Sequence, residues 1–99
     1  MPEMWFEVRW PDGSSEACYS PSLVIKDYFH EGQAYPVADF LERSRTALQI
    51  ASDRVKAKYG RPCGLALGQL ASIETTVARF ERDPDATVLC ERFLNEVDR

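Results

Sequence analysis

Three thiols and one imidazole, Cys18, Cys63, Cys90 and His30, are the groups in this chain best suited to chemistry beyond simple charge pairing. A thiolate is a nucleophile and a metal ligand, and it forms only where the surroundings favour loss of the proton from sulfur. Cys63 has such a context. It follows Arg61-Pro62 at the start of a helical pattern, where the helix N-terminus and a guanidinium both stabilise the anion. The plainer reading makes Cys63 a small apolar residue on the stripe it shares with Ala66 and Leu70, because free cysteine is among the most buried residue types. Cys18, in a strand-like segment, is the second thiol candidate. Three cysteines and a histidine equal a zinc set in number, but they fall in separate elements with no Cys-x-x-Cys pair, and structural zinc sites show tight local spacing. No metal and no cofactor is expected. His30 precedes Glu31-Gly32 where a helix should end, and a cation there complements the helix dipole without any catalytic role. The chain has no Gly-x-Ser-x-Gly elbow, Walker loop, Gly-x-Gly-x-x-Gly turn or Asp-rich calcium loop, so catalysis has no visible owner.

Binding groups come next. Tyr19-Ser20-Pro21-Ser22 puts hydroxyls and unpaired backbone N–H groups at a strand-to-helix junction, an arrangement that can hold an anion. Arg9, on the facing strand of a hairpin, could add its charge. Ordinary helix capping by Ser20 and pairing of Arg9 with Glu7 or Glu16 explain the same residues. Trp5, Tyr19, Tyr28 and Tyr35 are the candidate contact anchors, since aromatic side chains concentrate contact energy at interfaces.

Charge excludes some partners. Twelve Lys and Arg stand against 16 Asp and Glu, for a net charge of −4. Arg43, Arg45, Arg54, Lys56 and Lys58 share their helix with Glu42 and Asp53, which describes a solvated face and not a phosphate-binding one. Nucleic acid is therefore not expected as a partner. The opening Met-Pro-Glu-Met-Trp-Phe has neither a basic n-region nor an apolar h-region, and no apolar run approaches membrane-spanning length, so no membrane association is expected. An odd number of widely spaced cysteines suits a reducing compartment, and the expected location is the cytoplasm.

The elements that must position these groups follow from spacing. Ninety-nine residues at 44% hydrophobic and 28% charged predict one core and a single domain spanning 1–99, for which dimerisation would add stability. Phe6, Val8 and Trp10 alternate with Trp5, Glu7 and Arg9, the period of a strand with one buried face. Pro11-Asp12-Gly13-Ser14 is turn chemistry, and a second strand over Ser15 to Tyr19 closes a hairpin. A short helix, or an extended segment, follows from Pro21 to Phe29, with Ser20 as its cap. Val37, Phe40, Leu41, Leu48, Ala51 and Val55 recur at spacings of three and four up to Tyr59-Gly60, and a second stripe from Pro62 to Glu81 includes Ala66, Leu70, Ile73, Val77 and Phe80. Their short connection makes an antiparallel helix pair. The tail allows two readings. Val88, Leu89, Phe93, Leu94 and Val97 approximate helical spacing, whereas β-branched Ala86-Thr87-Val88-Leu89-Cys90 after Asp83-Pro84-Asp85 favours a third strand over Thr87 to Arg92. The expected fold is α+β: an N-terminal hairpin, joined by that third strand if it forms, covered on one face by a short helix and a long antiparallel helix pair.

The string Phe6-x-Val8-Arg9-Trp10-Pro11-Asp12-Gly13, then Cys18-Tyr19-Ser20-Pro21-Ser22, Tyr28-Phe29 and Gly32-x-x-Tyr35-Pro36, resembles the bacterial nitrogen-starvation-response family. Ala47-Leu48, Ala51, Arg54-Val55, Lys58-Tyr59-Gly60, Cys63 and Ala66 continue the resemblance. It implies gene neighbours that include a nitrilase, a radical S-adenosylmethionine enzyme, an acetyltransferase and a flavoprotein. It hands over no catalytic residue. The expected function is a non-catalytic accessory or interaction protein in the response to nitrogen limitation, assisting an enzyme of the nitrilase cluster or binding a small metabolite, with a homodimer allowed. The alternative is a thiol-dependent small enzyme or redox sensor that uses Cys63 or Cys18.

Overall fold

Period-two alternation produces β1 (Met4–Arg9), in which Met4, Phe6 and Val8 are buried, Trp5 and Glu7 are half-buried and Arg9 is exposed. The structure, a computed structural model, describes residues 3–95 of the chain. Asp12 builds the turn after β1: its Oδ1 accepts the backbone N–H of Ser14 at 3.0 Å and the Ser14 hydroxyl at 2.6 Å. These bonds hold the Asp12 carboxyl below its ordinary pKa. Gly13, at φ +89°, takes the left-handed position that a side chain would strain. The chain then returns as β2 (Ser15–Ser20), pairing Phe6 with Cys18 and Trp5 with Tyr19.

Between Pro21 and Phe29 only one 3-10 turn forms, Leu23–Asp27. Val24 and Ile25 are both buried and β-branched, a poor basis for a longer helix. Its cap is Ser22 and not Ser20: Ser22 Oγ accepts the Val24 N–H at 3.3 Å, while the Ser20 hydroxyl donates to the Ser22 carbonyl at 2.7 Å. A strand absent from the sequence reading follows, β3 (Gln33–Pro36), in which Tyr35 alone is buried.

The helices follow their apolar stripes. α1 (Val37–Tyr59) buries Val37, Phe40, Ser44, Ala47, Leu48, Ala51 and Ser52, and stops at Gly60, whose φ of +86° and N–H bond to the Lys56 carbonyl form a left-handed cap. α2 (Gly64–Ala78) is shorter at both ends than the expected span from Pro62 to Glu81. Cys63 is its cap, and Phe80 lies past its end, with its ring stacked 6.4 Å from that of Trp10. Phe80 was therefore rightly apolar but not helical.

The tail is the strand β4 (Thr87–Asn95), antiparallel to β1 on one side and to β3 on the other, so the sheet has four strands in the order β2-β1-β4-β3. Val97, part of the helical alternative, lies outside the described residues. Pairing with β1 shifts by one residue between Glu7 and Val8, which leaves Glu91 as an extra residue in β4. The helix pair and the 3-10 turn cover the face carrying Phe6, Val8, Cys18, Val88 and Cys90. Inside, Phe6, Phe29, Phe40, Trp10 and Phe80 form a continuous series of ring contacts with centroids 5.2 to 6.4 Å apart. Among the described residues, no helix is long and apolar enough to cross a membrane.

Candidate interaction surface

The sheet has a second face, made by the alternate residues of the same strands. Strand register puts Tyr19, Trp5 and Leu94 in one row across β2, β1 and β4. Trp5 and Tyr19 meet edge to face with centroids 5.2 Å apart, and the Tyr19 hydroxyl donates to Glu3 Oε2 at 2.7 Å. All three residues of the row are half-buried. Farther along the same face the chemistry changes from apolar to charged. Arg92 Nε pairs with Glu7 at 3.0 Å, Arg9 Nη2 pairs with Glu91 at 3.1 Å, and the Ser15 hydroxyl donates to Glu91 at 3.2 Å. The extra residue at Glu91 is what places two consecutive side chains, Glu91 and Arg92, on this one face. An aromatic end beside an ion-paired end is suited to recognising a surface, with ring contacts for affinity and charges for register.

Of the residues singled out from sequence, Trp5 and Tyr19 meet on this face, Arg9 stands at its charged end, and the others lie elsewhere. Tyr35 is 2% exposed, and its hydroxyl oxygen accepts the His30 N–H at 2.8 Å, so it is a core residue and not a surface anchor. Tyr28 is half-buried against the core, and its carbonyl accepts from Arg43 at 2.8 Å. Ser20 and Ser22 are buried and spend their hydroxyls on the local turn, with Ser22 Oγ also accepting from Arg54 at 2.9 Å. Arg9 pairs across the hairpin with Ser15, at the opposite end from Ser20. The anion cradle imagined from Ser20, Ser22 and Arg9 is thus not assembled, and the partner of Arg9 is Glu91 instead of Glu7 or Glu16.

The thiols separate by environment. Cys18 is fully buried, and burial, with the Glu16 charge adding to it, pushes its pKa well above the ordinary thiol value. Burial likewise pushes Cys90 up to about 11. Cys63 is half-buried; its Sγ accepts the Ala66 N–H at 3.4 Å, and its own N–H donates to Ser52 Oγ at 3.2 Å. Among the described residues, no group of three His, Cys, Asp or Glu side chains is placed to hold a metal ion.

Sequence reasoning missed the charged half of the outer face, because Glu91 and Arg92 join it only through the register shift. It also missed two hollows at the end of the molecule where α1 begins. One, of about 250 Å³, is apolar and lies among Val37, Ala38, Leu41, Val77 and Phe80. The other, of about 410 Å³, is open and polar, between Arg9, Trp10, Asp83, Asp85 and Thr87.

Fold and surface together define a small α+β protein whose sheet is covered by helices on one side and carries an aromatic row and two ion pairs on the other. The family model described as nitrogen starvation-induced protein NitG matches residues 5–93, and the chain belongs to that family. No curated protein and no solved structure matches it.

Proposed function

We propose that this protein is a non-catalytic accessory of the bacterial response to nitrogen limitation, acting in the cytoplasm by docking onto an enzyme of a nitrilase gene cluster or by presenting a small metabolite to one. The row of Tyr19, Trp5 and Leu94 on the outer sheet face carries this reading. Membership of a nitrogen starvation-induced family supplies the process. Burial of aromatic rings at an interface supplies the affinity, and the neighbouring Glu7–Arg92 and Arg9–Glu91 pairs set orientation.

The test is affinity co-purification of tagged protein from nitrogen-starved cells, with native mass spectrometry of what is recovered. The expected result is a stoichiometric cluster enzyme or metabolite that Trp5→Ala and Tyr19→Ala each remove while the far-UV circular dichroism stays native. Recovery of the chain alone, or capture that ignores both substitutions, would overturn the reading.

A second reading, thiol chemistry, is favoured at Cys63 by the Ala66 N–H bond to its sulfur and disfavoured at Cys18 by burial. Stoichiometric labelling of Cys63 in the native protein, faster than that of a free thiol in solution, is what that reading requires.

A further inference from the structure

We infer that α2 is the interface of a symmetric homodimer, in which a second copy of this chain lies antiparallel across the outer side of the helix. The surface is distinct from the sheet face discussed above, so its fate does not depend on that assignment. At 100° per residue, Gly64, Gly68, Ala71 and Thr75 run down the centre of the exposed side of α2, with Leu65 and Leu67 on its two flanks; all six are exposed. Leu65 is 70% exposed and Leu67 is 38% exposed. Of the four large hydrophobic side chains exposed among the described residues, three, Tyr59, Leu65 and Leu67, belong to this end of the helix pair. No charged residue occurs from Pro62 to Ile73, in a chain that is 28% charged. A surface helix that only had to meet water would carry charge on this side.

The glycines sharpen the case. Gly64 and Gly68 lie within α2 at ordinary helical φ, and a Cβ built on either meets nothing within 4 Å. Nothing among the described residues requires glycine at either place, and glycine weakens a helix relative to alanine. Close approach of another helix does require it, because small residues along the line of contact let the axes come together while the flanking leucines enter the grooves beside the partner.

Charge says which partner this is. With a net charge of −4, two copies repel unless the contact itself is neutral or complementary. The end of α2 near its start carries exposed Lys56, Lys58 and Arg61. Past its other end lie Glu81, Asp83 and Asp85, which outnumber Arg82 once Arg79 is paired with Asp12. Antiparallel pairing about a two-fold axis puts each basic end on the acidic end of the other copy and opposes the two helix dipoles, whereas parallel pairing stacks like on like. Fifteen residues of helix span about 22 Å, so the contact falls at the small end of specific interfaces and the dimer should dissociate on dilution.

Sedimentation velocity of the full chain over about a hundredfold dilution tests this, since dimerisation follows mass action. The expected species at high concentration has twice the 11.3 kDa chain mass. Gly68→Leu should raise the dissociation constant by about tenfold or more by wedging the helices apart, with a thermal midpoint for the monomer no lower than that of the wild type. Arg61→Glu should weaken the dimer, and adding Glu81→Lys should restore it in part. A chain that stays at 11.3 kDa throughout overturns the proposal. So does a Gly68→Leu variant as dimeric as the wild type.

Discussion

Along α1 the water-facing residues include Glu42, Arg45, Gln49 and Asp53, each bonded to a neighbour: Arg45 to Glu42 and to Glu74 across the helix pair, Gln49 to Asp53. Along α2 the residues in the equivalent position are Gly64, Leu65, Leu67, Gly68 and Ala71. Inward, the two helices are alike, with Phe40, Ala47 and Leu48 on one and Ile73 and Val77 on the other buried in the one core that also holds Phe6, Val8 and Val88 of the sheet. The inward stripe of a helix reports only that something is buried there. The outward stripe carries the distinction: on α1 it is charged and polar, on α2 it is small and apolar, the difference on which the proposed dimer rests.

The sharpest way to break the comparison is to show that the inward sides are not alike. Phe40 packs its ring 5.4 Å from Trp10 and 5.2 Å from Phe29, and Phe40→Ala should destabilise by about 3–5 kcal/mol, with Ile73→Ala costing about 2–4 kcal/mol, in urea unfolding. A loss under about 1 kcal/mol at Ile73 would mean that α2 is an appendage to the core. Next in size is a pH effect on the sheet face that both helices cover. Cys18 and Cys90 have folded pKa values raised above the ordinary 9.0, so their contribution is fully present below the unfolded pKa and is lost as pH rises from about 9 toward 11, at about 1.4 kcal/mol per pH unit for each thiol. The urea midpoint should therefore fall between about pH 8 and pH 10.5, and Cys90→Ala should flatten that slope.

A smaller effect of opposite sign is expected within α1. The Ser44 hydroxyl is buried and has no hydrogen-bond partner among the described residues, so Ser44→Ala should stabilise by about 1 kcal/mol in the same assay. The smallest belongs to the solvated side of α1: Arg45→Ala should cost about 0.5 kcal/mol, because both of its carboxylate partners are well exposed. A loss several times larger would show that the Arg45–Glu74 pair is a structural bridge between the helices.

The features legible in the sequence were those with a long period. The alternation around Phe6, Val8 and Trp10, the α1 stripe and the β-branched tail each supply several residues that agree with one another. Features resting on one residue were not legible. β3 buries Tyr35 alone, so no alternation announces it, and Ser22 could be distinguished from Ser20 as the cap only once the end of β2 was known. Of the outer sheet face, Trp5 and Tyr19 were visible as types, but their contact is a product of hairpin register, and Tyr35 lies in the core because its hydroxyl bond to the His30 N–H is inside the fold. Cys63 was correctly placed at a helix start, and its capping role emerged only when α2 proved to begin at Gly64.

The register shift at Glu91 imposes a parity on the last strand. Before it, even-numbered Val88 and Cys90 face the core; after it, odd-numbered Phe93 packs there. Removing Glu91 would take out only this extra residue: Cys90, Arg92 and Phe93 would follow one another in plain alternation opposite Val8, Glu7 and Phe6, so Phe93 would stay in and Arg92 out. What would be lost is the carboxylate shared by Arg9 and Ser15. Glu91 is therefore an insertion that the strand absorbs by bulging, and its deletion should leave every side chain downstream on the face it already has.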